Sequence, residues 1–409
     1  MTEKIIPVLL GADLNCYNVA RAFHEQYGVI SYAFGRYAVS ATKYSRIIRF
    51  TAVPEIDRDE VMLETLTAFA ENHPDGKLIL FGCTDDYAAM IIRNKDKLPR
   101  YLCACPNASF LDSVSRKAEF YEICEKYGIP YPKTVVLAGK TDAADLSADV
   151  LGFDYPIVIK PSSSVVYWKH PFDGMKKVYI AKSPEDAAGI IAEIYDSGYD
   201  ERMILQEFIP GGDAHMRVLT AFSDKNGRVR AMCLGHTMIE EHTPKGLGNH
   251  AAIVTEPVSS LPFADKIRAM LEDMGYTGFS NFDIKYTGEG EDYRVFEINL
   301  RQGRSNFYVT SAGINIARLA AEVYESEGED CIMCENVHFW HHVPRRVAYT
   351  YTEDPSLVIT ARDLARRGKH TSSLWYTKDL CLNPLRLICV CEVLRRQGKK
   401  FKKYYPTQK

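Results

Sequence analysis

The chain has 409 residues, of which 46% are hydrophobic and 25% charged, with a formal net charge of −3. That length accommodates two to four domains of roughly 100–200 residues each, and the composition is that of a globular protein with a sizeable core. The charge balance argues against a nucleic-acid binder, which carries a basic excess, and no apolar run reaches the roughly 18–20 residues that span a bilayer.

The opening residues run almost directly into a strand-like segment, without the apolar stretch and small-residue cleavage site of a signal peptide. The 11 cysteines are odd in number and scattered, several of them in apolar runs. That pattern fits reduced, buried thiols better than a disulfide framework. A cytoplasmic location is expected.

Ile5–Gly11 reads as a buried strand, followed by a helix pattern over Asn15–Tyr27. Lys77–Gly82 is a second buried strand, with Thr84-Asp85-Asp86 as a helix start. Alternating strand and helix signals over the first ~105 residues predict an open α/β domain. Its Gly11 and Gly82 turns lie at strand C-termini, where such sheets place ligands. No G-x-G-x-x-G occurs, which argues against a dinucleotide site. Ser113–Tyr127 is helical in pattern and is closed by Gly128-Ile129-Pro130.

Beyond residue 133 short strands dominate. Tyr155–Pro161 is an apolar strand ending on Lys160, and Arg202–Gly212 is a strand running into a glycine turn. Met216–Phe222 and Arg228–Leu234 flank Asn226-Gly227, a strong hairpin signal. Phe279–Tyr286 and Tyr293–Arg301 flank a second glycine turn. The last ~90 residues carry fewer signals, and Pro355 and Pro384 punctuate them. Cys331, Cys334, His338 and His341 include zinc-ligand types, but their spacing is much tighter than a finger pattern. Buried thiols at a helix-to-strand junction are the other reading. Arg395, Arg396, Lys399, Lys400, Lys402 and Lys403 form a basic tail. It is either a solvated helix end or a peripheral contact with an anionic membrane surface.

The second hairpin carries the chemistry. Side chains alternate faces along a strand, so Asn281, Asp283 and Lys285 share one face, and Glu297, Asn299 and Arg301 share another. Pairing the strands brings Asp283 near Glu297 and Asn299, a hard oxygen set suited to Mg²⁺. Arg301 and Arg304 add guanidiniums suited to a phosphoryl group or a substrate carboxylate. A solvated hairpin face is the plainer alternative. Lys160, followed by Ser162-Ser163-Ser164, can place its ammonium on a nucleotide phosphate. Backbone groups of Gln206–Gly211 can meet an adenine edge while Phe208 or Ile209 packs on the ring.

In this order these elements resemble the ATP-grasp superfamily, over about residues 1–320. Lys117, Lys160, Gln206–Ile209, Asp283 and Phe296-Glu297-Ile298-Asn299-Leu300-Arg301 carry the resemblance, the last being close to a Glu-x-Asn-x-Arg signature. The sequence is similar in more detail to the D-aspartate ligases of peptidoglycan cross-bridge synthesis. Ile6–Asn15, Ile129–Thr134, Phe208–Gly211, Met216–Leu219 and Asn299–Ser305 carry that likeness. It implies an N-terminal open α/β (pre-ATP-grasp) domain, 1–107, and a two-subdomain ATP-grasp module, 108–200 and 201–320. A C-terminal extension, 321–409, bears the basic tail. It implies that ATP phosphorylates the β-carboxylate of D-aspartate, and that the side-chain amine of the diamino acid in a cell-wall precursor peptide attacks the acyl phosphate. Lys117 and Lys160 would hold phosphates. Glu207 and Ile209, flanked by Gln206 and Phe208, would meet adenine, and Asp213 the ribose. Asp283, Glu297 and Asn299 would hold Mg²⁺. Arg301 would stabilise the transferring phosphoryl group, and Arg217 or Arg304 would anchor a substrate carboxylate. The three serines stand where many ATP-grasp enzymes have a glycine-rich loop. An ATP-grasp ligase for another amino acid or a dipeptide, or a catalytically silent nucleotide-binding module, remains an alternative.

Overall fold

The structure is a computed structural model that describes residues 4–114, 117–140, 145–162, 164–167, 169–176, 178–244, 246–290, 292–328 and 330–405, with the backbone alone for Lys117, Ala118, Ser164 and Val165. The chain forms two compact units. The first comprises residues 1–111, 212–283 and 298–409, and the second residues 112–211 and 284–297.

The first unit opens with a parallel sheet of order β3-β2-β1-β4-β5, formed by β1 (Lys4–Leu10), β2 (Ser31–Gly35), β3 (Ile48–Ala52), β4 (Gly76–Gly82) and β5 (Tyr101–Leu102). β1 and β4 are buried along most of their length, as strands covered on both faces must be. Pro7 has no N–H to give, and β2 pairs with β1 only from Val8 onward, so no ladder bond to β2 is forfeited. Asp13 caps the helix α1 (Leu14–Tyr27) by accepting from Cys16 N–H, and Gly28 ends it at φ 68°. Thr84 caps α2 (Asp85–Asn94) in the same way. The strand order reverses between β1 and β4. Their carboxyl ends therefore form a topological switch point, with Asp13 and Asp85 emerging beside each other in the sheet order.

The larger sheet follows the order β14-β13-β10-β11-β12-β16-β17, with β15 beside β11. Its members are β10 (Met216–Ser223), β11 (Val229–Glu241), β12 (Asn249–Glu256), β13 (Gly278–Tyr286), β14 (Tyr293–Asn299), β15 (Ile332–Met333), β16 (Phe339–His341) and β17 (His370–Ser372). Residues 284–297, the far part of the β13–β14 hairpin, are counted with the second unit. The C-terminal segment is thus part of this sheet: β16 pairs with β12 through Ala252↔His341 and Val254↔Phe339. Helix Pro384–Tyr404 packs Phe401 into the core formed by Met238, Ile239, Val254 and Phe339.

The second unit holds a four-stranded sheet, β6-β9-β7-β8, made of β6 (Thr134–Leu137), β7 (Ile157–Pro161), β8 (Tyr179–Ala181) and β9 (Met203–Glu207). Ile157, Ile159, Met203 and Leu205 lie in its core, with Ile191 and Ile194 of helix Pro184–Asp196. Among the described residues no helix is long and apolar enough to cross a membrane.

Candidate active site

In the first unit, residues 301–306 dock on the carboxyl ends of β1 and β4. Gln302 Nε2 donates to Gly82 O at 3.1 Å, and Asn15 Nδ2 to Cys83 O at 2.9 Å. Asn306 Nδ2 donates to Asn15 Oδ1 at 2.6 Å, and Asn18 Nδ2 to Arg304 O at 3.2 Å. Gly303 permits the close approach, since a Cβ there would stand 2.6 Å from Asn281 Oδ1. Buried amides therefore fix the backbone from which Arg301 and Arg304 project.

Arg301 Nε donates to Asp85 Oδ1 at 2.7 Å, and its Nη1 to Gln302 O at 2.8 Å. Burial pushes the Asp13 carboxyl up, against the pull of Arg304 and Arg301. Arg304 Nη2 donates to Glu241 Oε1 at 3.1 Å, an oxygen that His342 Nε2 also meets at 2.9 Å. Burial opposes charge on Glu241, but His342 and Arg304 outweigh it and hold its carboxyl down at about 2. Nη1 of Arg304 is buried and has no hydrogen-bond partner among the described residues. A guanidinium N–H left in that state is costly unless an anionic ligand accepts it.

Asp283 and Asn299 lie on neighbouring strands of the large sheet. Asn299 Nδ2 points at Asn281 O over a long 3.5 Å contact, so its amide oxygen is the end available to a cation. The carboxylates of Asp283 and Glu240 lie 3.7 and 3.3 Å from the ring nitrogens of His250. Burial works against a charged His250, yet these two carboxylates prevail and raise it to about 10. Glu297 falls in the second unit.

Arg217 is buried on β10, its Nε donating to Glu256 Oε2 at 2.8 Å, and His236 Nδ1 lies 2.6 Å from Glu256 Oε1. Asp213 is also buried. Glu240 N–H and the Tyr405 hydroxyl donate to Oδ2 at 2.8 and 3.0 Å, and His242 Nε2 lies 3.0 Å from Oδ1. These bonds tie Tyr405, just beyond the C-terminal helix, to the large sheet at the residue expected to reach the ribose.

In the second unit, Lys160 Nζ donates to Gln206 Oε1 at 2.8 Å. Gln206 Nε2 in turn donates to the Tyr121 hydroxyl at 2.8 Å and to Thr134 Oγ1 at 2.9 Å. A buried glutamine thus aims an ammonium from an adjacent strand. Glu207 is held against Lys133 from both sides: Glu207 N–H donates to Lys133 O at 2.9 Å, and Lys133 N–H to Glu207 Oε2 at 3.1 Å. Lys285 Nζ donates to Ile209 O at 2.9 Å and lies 5.9 Å from the Phe208 ring centre. Ile209 is buried and Phe208 half-buried. Helix Lys117–Tyr127 begins at Lys117, but its side chain, Ser115-Arg116, Ser163 and the Ser164 side chain lie outside the described residues.

The cysteine and histidine set does not converge. Cys334 Sγ lies 4.0 Å from Ala312 O, His338 Nε2 2.9 Å from Thr371 Oγ1, and His341 Nδ1 2.7 Å from Val343 O. No group of three or more His, Cys, Asp or Glu side chains placed to hold a metal occurs among the described residues. Residues the sequence reading did not single out as site members are Asp13, Asp85, Glu240, Glu241, His250 and Lys285. One signal pointed to some of them: Glu240-Glu241 ends a strand that is otherwise almost wholly buried, where charges persist only if paired.

No family model matches the chain. It is 36% identical to a D-aspartate ligase of Enterococcus faecium strain Aus0004 over 415 residues, 98% of this chain and 97% of that protein. Among solved structures it is similar in fold to an L-amino acid ligase from Bacillus licheniformis, with TM-score 0.57 and 13% identity, covering 83% of this chain and 79% of that one. It is also similar to the biotin carboxylase domain of Hydrogenobacter thermophilus 2-oxoglutarate carboxylase, solved with MgADP, ADP and bicarbonate. There the TM-score is 0.61 and the identity 12%, with 81% of this chain and 73% of that one covered.

Proposed function

The chain belongs to the D-aspartate ligase family of ATP-grasp carboxylate–amine ligases, and on that footing we propose that it joins the β-carboxylate of D-aspartate to the side-chain amine of the diamino acid in a peptidoglycan precursor peptide. The similarity to the Enterococcus faecium ligase, which runs almost end to end in both proteins, carries this reading.

A carboxylate is a poor acyl donor because oxide is a poor leaving group. In the proposed reaction, a β-carboxylate oxygen attacks the γ-phosphorus of ATP, and ADP departs. The amine nitrogen then attacks the acyl carbon, the bond to phosphate breaks, and nitrogen loses a proton. The products are an isopeptide, ADP and phosphate. No protein nucleophile is required, so the chain's contribution is positioning and charge.

Lys160, oriented by Gln206, is proposed to meet the ATP phosphates together with Lys117. Backbone groups of Glu207 and Ile209 would meet adenine, with Phe208 against the ring. Arg301 would face the transferring phosphoryl group. Arg304 would anchor the α-carboxylate of the acid, because its Nη1 lacks an acceptor; Arg217 is the second candidate. Asp213 would reach the ribose, with Glu240 N–H, His242 and the Tyr405 hydroxyl already meeting its oxygens. Asp283, Glu297 and the amide oxygen of Asn299 are proposed to hold Mg²⁺, a donor set that fits a hard cation. When bound, Mg²⁺ would offset phosphate charge.

The test is ADP release with Mg²⁺ and ATP across D- and L-amino acids, with a lysine-containing precursor peptide as acceptor. Acceptor-dependent turnover with D-aspartate alone, abolished in Glu297→Ala, supports the proposal. Turnover confined to another acid keeps the ligase and overturns the substrate.

A further inference from the structure

The first unit carries an apolar and basic surface that its fold leaves uncovered. Helix Pro384–Tyr404 buries Arg386, Val390, Gln397 and Phe401. Its opposite stripe, at three- and four-residue spacing, reads Leu385, Ile388, Glu392, Arg395, Lys399 and Lys402. The start of that stripe is apolar and open, with Leu385 59% and Ile388 66% exposed, and Leu382 just before the helix is 84% exposed. The end is basic: Arg395, Arg396, Lys399, Lys400, Lys402 and Lys403 are all exposed. Glu392 is the sole acid of the helix and bonds Arg395 and Arg396. The described residues give Lys399, Lys402 and Lys403 no acidic partner.

The apolar end is built into the backbone. Leu382 has φ 54° and Tyr44 φ 61°, a left-handed conformation uncommon for residues other than glycine. The two turns are tied together. Asn383 Nδ2 donates to Tyr44 O at 2.8 Å, Arg46 Nη1 donates to Cys381 O at 3.0 Å, and Arg46 Nη2 also reaches Leu382 O. Tyr44 is itself 47% exposed, and Lys43 and Arg46 beside it are exposed cations. Two constrained turns thus hold large apolar side chains out in solvent, with the cations Lys43 and Arg46 beside them.

We infer that this face docks on an anionic lipid bilayer, with Tyr44, Leu382, Leu385 and Ile388 entering the headgroup boundary and the lysines and arginines resting on the surface. Apolar tips within a basic field are what an anionic interface accepts. A second copy of the chain fits less well. Its matching face brings the same cations and no surplus acid, so the contact lacks charge complementarity. The inference is independent of which acid the ligase uses.

The experiment is co-sedimentation of the full chain with vesicles of phosphatidylglycerol and phosphatidylcholine, against vesicles of phosphatidylcholine alone. The chain is expected to pellet with the anionic vesicles and to be released as salt rises. Leu382→Ser/Leu385→Ser/Ile388→Ser and Lys399→Glu/Lys402→Glu/Lys403→Glu are each expected to lower partitioning by about tenfold or more. Both sets lie in solvent, and a thermal melt checks that each variant is folded. Should one variant fail to fold, the other with the lipid comparison still decides. Absence of pelleting overturns the inference, as does a serine variant that pellets like the parent chain. A dimer in sedimentation velocity that the serine variant splits assigns the face to a second copy and overturns it equally.

Discussion

Gln206 shows how a single buried amide sets a cation. Gln206→Met keeps the length and removes the bonds to Lys160, Tyr121 and Thr134. Losing such bonds in a buried setting costs about 1–3 kcal/mol. The KM for ATP is therefore expected to rise about tenfold with the KM for the acid unchanged, which steady-state kinetics with each substrate varied in turn will read. An unaltered KM for ATP would show that other contacts fix Lys160. Arg304→Lys tests the opposite end of the chemistry. Lysine keeps the charge beside Glu241 but loses the planar fork, so kcat/KM for the acid should fall by about 10–100-fold. Lys160, Asp283 and Arg301 were legible as candidates in the sequence because a charged residue at the end of an apolar strand, or on one face of a hairpin, breaks a pattern. Asp13 and Asp85 were not. Each reads as an ordinary residue at a helix start, and only the 301–306 segment, more than 200 residues away, turns the pair towards a site.

Several strands before residue 300 were readable because their apolar or alternating run extends for five residues or more. β1, β4, β7, β9 and the two hairpins fall close to where alternation and glycine turns predict them. The C-terminal elements were not readable. β15, β16 and β17 span two or three residues each, too short for a period, and β16 is specified by pairing with β12 across about 90 residues. What seats the last helix is equally non-local. Asp379 and Arg386 have fully buried side chains and form an ion pair at 2.9 Å. Asp379 also accepts from Tyr17 OH, Ser45 Oγ and Arg46 N–H, while Arg386 Nη1 donates to Ser40 O and Lys43 O. Removing one partner of such a pair leaves a buried charge uncompensated. Asp379→Ala is thus expected to lower stability by about 3–5 kcal/mol, measured by urea unfolding. Leu385→Ser, in solvent on the same helix, should change it by less than about 0.5 kcal/mol.

The molecule as a whole is a mixed α/β protein in which a few buried groups of the first unit respond to acid. Burial lowers the His341 ring to about 3 and His338 to about 4, and His342 is lowered as well. Each stays neutral when folded but takes a proton near pH 6.5 when unfolded. Below pH 6.5 the unfolded chain binds more protons, so stability present above that pH is lost as the pH falls towards the folded values. Glu241 adds to the trend, because its carboxyl is held at about 2 and the stability it confers is lost below about pH 4.5. The His342–Glu241 bond needs only a neutral ring protonated at Nε2, so it gives no reason to charge the histidine. At about 1.4 kcal/mol per pH unit, the nearly buried His341 alone accounts for a loss of at most about 5 kcal/mol between pH 6.5 and 3. Urea midpoints are expected to fall from about pH 6.5 to 4.5, whereas above pH 6.5 the raised His250 works in the other direction. His341→Phe keeps a ring tilted against Phe339 and gives up the bond to Val343 O. It should cost about 1 kcal/mol at pH 7.5 and show a shallower fall with acid. A variant with the same pH slope as the parent chain would place the sensitivity in other groups, with Glu241 the first to examine by Glu241→Gln.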